Sequence, residues 1–198
     1  MKINHYNKDI QYADSKEIFE KTNYLIFQKL SSISPIVEIT SVKSKQDQFN
    51  GIDKLLKTRE GKILKLEEKI RKKDWGDFLI EIIADNRYGK IDKKNRKISI
   101  TKKKGLGWGF KDYSTDMILY FFEESNSGNL FSWKKFQKTF KENFLNWLEL
   151  AEKNRNGFTL KKAWNFDQAK KEKFFSLNIA IPKNIFFEAY IKNGGKII

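Results

Sequence analysis

Six consecutive apolar residues, MILYFF at 117–122, constrain the fold more than any other stretch of the chain. The run is far shorter than the roughly 20 residues that a bilayer span requires. A strand buried on both faces is the structure in which every side chain of such a run leaves water. A strand of that kind needs neighbours along both edges and layers above and below it. The rest of the chain must therefore supply further strands and covering helices. Its 198 residues include 17 Phe, 7 Tyr and 5 Trp, enough bulky material for a buried core.

The flanking patterns supply those elements. Asp14 with Glu17 forms a capping-box arrangement, and Ile18, Phe19, Ile26, Phe27 and Leu30 follow at helical spacing, which predicts a helix over 15–30. Strands are expected at 34–43, 49–57 and 62–71, the last two joined as a hairpin by TREG at 58–61. DFLIEIIAD at 77–85 reads as another strand, and the Lys-rich segment 87–104 as strands around a basic turn. The MILYFF strand is expected over 115–124. A long helix capped by Ser132 follows, with Phe136, Phe140, Phe144, Trp147 and Ala151 along one face. Residues 154–165 read as a polar loop, 174–182 as a last strand, and Pro182 opens a terminal helix. No internal repeat and no Pro-, Gly- or Ser-rich linker interrupts the order. The expectation is one α/β or α+β domain over 1–198, built on a central mixed sheet flanked by helices.

The residues that are missing restrict the chemistry. There is no Cys and only one His, His5, which lies in a polar N-terminal stretch and reads as an ordinary surface residue. Zinc fingers, thiol nucleophiles, Ser-His-Asp triads and multi-histidine nucleases cannot be assembled within such a chain. Chemistry has to run on carboxylates, Lys, Arg, Tyr or Ser, and a carboxylate-bound Mg²⁺ suits hard oxygen ligands. The net charge of +15 calls for a polyanionic partner, and nucleic acid leads, since Lys and Arg neutralise phosphates and release counterions. The N-terminus lacks the apolar stretch of a signal peptide, so a soluble cytoplasmic protein without a membrane partner is expected.

One constellation fits that chemistry. The stretch FNGIDKLLKTREGKILKLEEKIRKK holds Asp53, Glu67, Glu68 and Lys69. Side chains alternate along a strand, so Glu67, Lys69 and Arg71 share one face while Glu68 joins Leu64, Leu66 and Ile70 on the other. A hairpin turning at 58–61 brings Asp53 to the same end of the sheet as Glu67. Asp53 and Glu67 can then hold Mg²⁺ with the backbone carbonyl of Glu68 as a third oxygen ligand. Lys69 can orient an attacking water and stabilise charge on phosphorus. Gly51 leaves room for close backbone approach. The bland alternative is a solvated hairpin edge, since Glu-x-Lys pairs are frequent in a chain that is 33% charged.

NGID at 50–53 followed by EEK at 67–69 resembles the PD-(D/E)xK nuclease superfamily, in particular small bacterial and phage members with a GID…(D/E)EK-x-R pattern. WGDFLIE (75–81), GWGFKDYSTDMILYFF (107–122) and LNIAIPKNIF (177–186) resemble its later core segments, so the likeness covers about 13–190, with the hairpin its sharp part. The resemblance implies a restriction-endonuclease-like fold and Mg²⁺-dependent phosphodiester hydrolysis, usually of DNA, with Mn²⁺ as a substitute. It makes Asp53 and Glu67 metal ligands and Lys69 the catalytic lysine. Some members add an acid from the first helix, for which Glu17 and Glu20 stand as alternatives. Ile52 occupies the place of the usual Pro.

Further features bear on binding. KKKGLGWGFK at 102–111 reads either as a flexible loop following a nucleic-acid backbone through Lys102, Lys103, Lys104 and Lys111, with Trp108 or Phe110 against bases, or as a turn with its aromatics on the core. Lys161 and Lys162, with Trp164, offer a second basic segment. Arg71 suits phosphate binding or an ion pair, Asp77 the rim of the site or a strand-start charge, and Asp116 a buried pairing with Lys111 or Arg71. A homodimer suits an enzyme that cuts both strands of a duplex. Three functions stay open: a DNA endonuclease, a non-catalytic basic DNA-binding protein on the same fold, and an RNA-cleaving nuclease.

Overall fold

The computed structural model describes residues 16–92, 94, 95 and 97–198, and the chain divides into two compact units. His5 and the Asp14 cap lie outside the described residues. One unit holds 16–75, 112–136 and 190–198; the other holds 76–111 and 137–189.

The first unit is built on a five-stranded mixed sheet. It contains β1 (Ile36–Ser41), β2 (Lys54–Thr58), β3 (Ile63–Arg71), β7 (Met117–Phe122) and β8 (Ser127–Ser132), in that spatial order. β1, β2 and β3 form an antiparallel meander, β7 runs parallel to β3, and β8 is antiparallel to β7. The MILYFF segment is thus a central strand, with Ile118 through Phe122 at most 1% exposed. Helix α1 (Lys16–Leu30) buries Ile18, Thr22, Leu25, Ile26 and Leu30, a stripe of helical period. Leu25, Ile26 and Leu30 pack with Leu56, Leu64, Leu66, Leu119, Phe121 and Leu130 on one face of the sheet. On the opposite face Phe131 meets Phe136 at 5.4 Å and Tyr190 at 5.1 Å between ring centroids.

The segment 49–57, expected as strand throughout, begins as something else. Ser44 caps a short helix α2 (Lys45–Phe49) by accepting from the Asp47 N–H. Gly51, at φ +72°, then turns the chain into β2, which starts only at Lys54. β8 was not apparent in the sequence, because SGNLFS carries only two apolar residues and is paired into the sheet by β7.

In the second unit β4 (Asp77–Ile83), β10 (Glu172–Pro182) and β9 (Thr159–Asp167) make an antiparallel sheet in which β10 is central. β5 (Gly89–Asp92) and β6 (Lys97–Ile100) form a separate hairpin. The strands at 77–85 and 174–182 therefore exist as expected but pair with each other and stay out of the mixed sheet. β9 replaces the loop expected at 154–165. It is an edge strand whose exposed Lys161 and Lys162 hide its pattern. Trp147, on α3 (Trp133–Glu152), packs against Phe140, Phe158 and Phe186, the last of these on α4 (Lys183–Lys192). No helix among the described residues is long and apolar enough to cross a membrane.

Candidate functional site

The hairpin of the first unit brings Asp53, Glu67 and Lys69 together. Asp53 is held on three sides. Its N–H donates to Leu66 O at 2.8 Å, its carbonyl accepts from Val42 N–H at 2.8 Å, and its Oδ2 accepts from the Glu68 N–H at 2.7 Å. Glu67, whose side chain is 5% exposed, is ion-paired through Oε1 to Lys69 Nζ. Its other oxygen, Oε2, is buried, and no N–H or O–H group among the described residues donates to it, while the Asp53 carboxylate stands close enough to act on it. Burial pushes the Glu67 carboxyl up to about 7; Lys69 opposes the rise and the Asp53 carboxylate adds to it. For Lys69, burial favours the neutral amine, but Glu67, Tyr113 and Asp53 outweigh it and raise the pKa, so the side chain stays an ammonium.

Glu68 takes a different part from the one its neighbours suggest. Its side chain points to the α1 face and pairs with Lys54 Nζ at 2.9 Å. Lys54 is 2% exposed and also donates to Thr22 Oγ1 at 2.6 Å and Asn23 Oδ1 at 2.8 Å, with the Phe19 ring 4.6 Å away. The partner of Glu68 is thus Lys54, the residue after Asp53 on β2. Burial depresses the Lys54 pKa, with Glu68 and Asp53 opposing, and burial raises that of Glu68, with Lys54 opposing. The Glu68 carbonyl projects to the same strand edge as its N–H, the edge that carries Asp53.

Tyr113 completes the site. A Cβ at Gly51 would lie 2.4 Å from the Tyr113 ring, so glycine is the residue that lets the ring sit over the turn before Asp53. The ring also lies 5.4 Å from Trp133, and the phenol acts electrostatically on Lys69. Tyr113 and Lys54 were not found by sequence reasoning. Nothing local marks Tyr113, which is 60 residues from Asp53. Lys54 could have been found, since it and Glu68 are opposite charges on the apolar face of paired strands.

Other expected site residues go elsewhere. Glu17 and Glu20 are 74% and 65% exposed, pair with Lys21 and Lys16 along α1, and do not join the site. Arg71 ends β3 half-buried on the Glu67 face. Asp77 starts β4 in the other unit. Asp116 is exposed, and instead of a buried pairing with Lys111 or Arg71 its Oδ2 accepts from the Lys65 N–H at 2.9 Å. Trp108 is only 9% exposed, and Phe110 packs on Phe140 and Phe144 at 5.2 and 4.7 Å, so neither is a stacking platform. Their loop is hydrogen-bonded and closely packed along β4. Gly105 O accepts from Ala84 N–H, Gly107 N–H donates to Ile82 O, and a Cβ at Gly107 would stand 2.3 Å from Glu81 O. Lys111, Lys161 and Lys162 belong to the second unit, where Lys162 Nζ lies 4.9 Å from the Phe175 ring.

The described residues contain no group of three or more acidic or His side chains arranged around a cation. Two carboxylates do fit Mg²⁺, which keeps several waters and is bound through one or two protein carboxylates plus a substrate phosphate. The buried Glu67 Oε2 beside Asp53 is the donor such an ion would use. No family model, curated protein or solved structure matches the chain.

Proposed function

We propose that the chain is a Mg²⁺-dependent nuclease of the PD-(D/E)xK type, hydrolysing phosphodiester bonds of DNA at Asp53, Glu67 and Lys69. The observation that carries the reading is the buried Glu67 Oε2 next to Asp53, to which no N–H or O–H group among the described residues donates, with an ammonium on the same strand face in a chain of net charge +15. Leaving a carboxylate oxygen without a hydrogen-bond donor in a buried position is costly, and a cation that both acids face relieves it. The antiparallel β1–β2–β3 meander with β7 parallel to β3 agrees with a restriction-endonuclease-like core.

In this reading Asp53 and Glu67 hold the ion, which would polarise a phosphate oxygen and make a bound water more acidic. Lys69 is charged and so cannot act as a base. It donates hydrogen bonds to the attacking water and to a non-bridging phosphate oxygen, stabilising the charge that builds as the new P–O bond forms. The attacking water gives up its proton to solvent as the new P–O bond forms, and the leaving oxygen, freed as the old P–O bond breaks, takes a proton from solvent. Glu68 keeps Asp53 oriented through its N–H.

Nicking of supercoiled plasmid by the wild type in Mg²⁺, lost in EDTA and lowered at least 100-fold in Lys69→Ala, is the expected result. Parallel reactions on single-stranded RNA decide the substrate class. DNA binding without cleavage, unchanged by EDTA and by Lys69→Ala, would refute the reading and leave a basic binding protein.

A further inference from the structure

The charge of this chain is not spread evenly. Residues 76–111 and 137–189, which lack the carboxylate site, carry 20 Lys and Arg against 10 Asp and Glu, most of the net +15. Within that unit one phenol gathers several of these cations. Lys104 Nζ stands 4.1 Å from the Tyr88 ring centroid, Lys102 Nζ 5.2 Å and Lys170 Nζ 5.6 Å, and Lys170 Nζ also donates to Tyr88 Oη at 2.8 Å. All three lysines are exposed, and they come from two segments far apart in sequence.

The acids beside them, Asp85, Asp167 and Glu172, are shared with Arg87 and offset the lysines only in part, so the four cations still outnumber the three carboxylates. Arg87 takes Asp85 at 2.8 Å, Asp167 at 3.0 Å and Glu172 at 2.8 Å, and stacks on Phe174 at 4.6 Å. This network also fixes the segment that carries Tyr88. The Tyr88 N–H donates to Asp85 O, Thr101 N–H donates to Tyr88 O, and a Cβ at Gly105 would lie 2.4 Å from the Tyr88 backbone. Three like charges held around one ring repel one another, and a polyanion relieves that repulsion. Hydrogen bonds and attraction from Lys170 and Lys104 lower the Tyr88 pKa, in keeping with the crowding.

We infer that the Tyr88 cluster is a phosphate-binding site for a nucleic-acid backbone, in the unit that lacks the carboxylate site. Ammonium groups lie against the Tyr88 ring, so it organises charge and does not stack on bases. Binding there is independent of base sequence. Of the lysines the sequence suggested, Lys102 and Lys104 belong to the cluster. Lys170 is new to it.

This inference rests on the nucleic-acid part of the proposed function and not on catalysis, so its test is run without metal. Anisotropy of a 20-base-pair duplex is followed in EDTA from 50 to 200 mM salt, with Lys69→Ala as the parent. Replacing Lys102, Lys104 and Lys170 together by Ala should weaken binding and make the slope of log K against log salt shallower by about 2.7, at ~0.9 per phosphate lost. A charge-matched control, Lys138 and Lys141 on α3 with Lys153 just after its end, all to Ala, should change the slope far less. Tyr88→Ala keeps the net charge and should still weaken binding, whereas Tyr88→Phe, which retains the ring, should weaken it less. Equal slopes for the two triple variants, or unchanged binding in Tyr88→Ala, would overturn the assignment. If the cluster variants fail to bind while the parent binds but never cleaves with Lys69 restored, the site stands and the nuclease reading falls.

Discussion

Replacing Glu67 by Gln should make the metal-free protein more stable at alkaline pH, because the site is maintained at a cost to the fold. The Glu67 carboxyl moves from an ordinary value near 4.5 to about 7 on folding, mainly through burial. A carboxyl with a raised folded-state pKa stabilises the native state while protonated. That contribution is fully present below about pH 4.5 and is lost as the pH rises through 7. The displacement corresponds to roughly 3 kcal/mol between those limits. Gln cannot ionise and does not incur that loss, but it replaces the ion pair to Lys69 with a neutral acceptor, so the expected net gain at pH 8 is on the order of 1–3 kcal/mol. Urea denaturation of both proteins in EDTA, from pH 4 to 8, reads the effect. Their difference cancels the titration of groups that do not interact with Glu67, leaving Glu67 and its coupling to Asp53 and Lys69. The two stabilities should coincide near pH 4 and diverge above pH 5 in favour of Glu67→Gln. Adding Mg²⁺ should close the gap, because the ion stabilises only the protein that binds it. A variant that is less stable than the wild type at pH 8, with a parallel pH profile, would refute the account of Glu67 as a buried and poorly compensated carboxylate.

Two further substitutions probe what surrounds the acids. Lys54→Met strands Glu68 beneath α1 and should cost about 3–5 kcal/mol in denaturation experiments. Lys54→Met with Glu68→Leu should recover much of it, and additive losses in that cycle would refute a coupled pair. Gly51→Ala places a methyl group 2.4 Å from the Tyr113 ring at φ +72°, so it should destabilise by more than the ~1–2 kcal/mol of backbone strain alone. Tyr113→Ala in the same chain should return only the steric part. A loss for Gly51→Ala that is the same with and without Tyr113 would show that the ring does not sit where it is described.

The hairpin was legible because its information is local. Alternation along β3 separates Glu67 and Lys69 from Glu68, and the turn at 58–61 puts Asp53 opposite Glu67 without knowledge of any distant partner. The burial of MILYFF was legible for the same reason. What escaped depends on pairing between remote segments. β4 and β10 lie about a hundred residues apart, and nothing in either run tells that they join each other and not the mixed sheet. β8 and β9 are strands because a strongly apolar neighbour supplies their partners, so their own polar composition misleads. The glycines of 105–109 read as flexibility, but they mark close packing, Gly107 and Gly109 against β4 and Gly105 against the Tyr88–Gly89 backbone, a distinction only tertiary contact makes. Glu17 and Glu20 point to water because α1 turns its apolar stripe to the sheet face opposite Glu67, which the helical period alone does not reveal.

Whether Asp53 and Glu67 hold a cation is best tested by crystals of the wild-type protein soaked in Mn²⁺, with anomalous diffraction recorded near the manganese edge. The account predicts an anomalous peak about 2.1–2.3 Å from a carboxylate oxygen of both Asp53 and Glu67, absent from Glu67→Gln crystals treated in the same way. Density showing both carboxylates without a peak, in a protein that still nicks DNA in Mn²⁺, would place the chemistry elsewhere and contradict it.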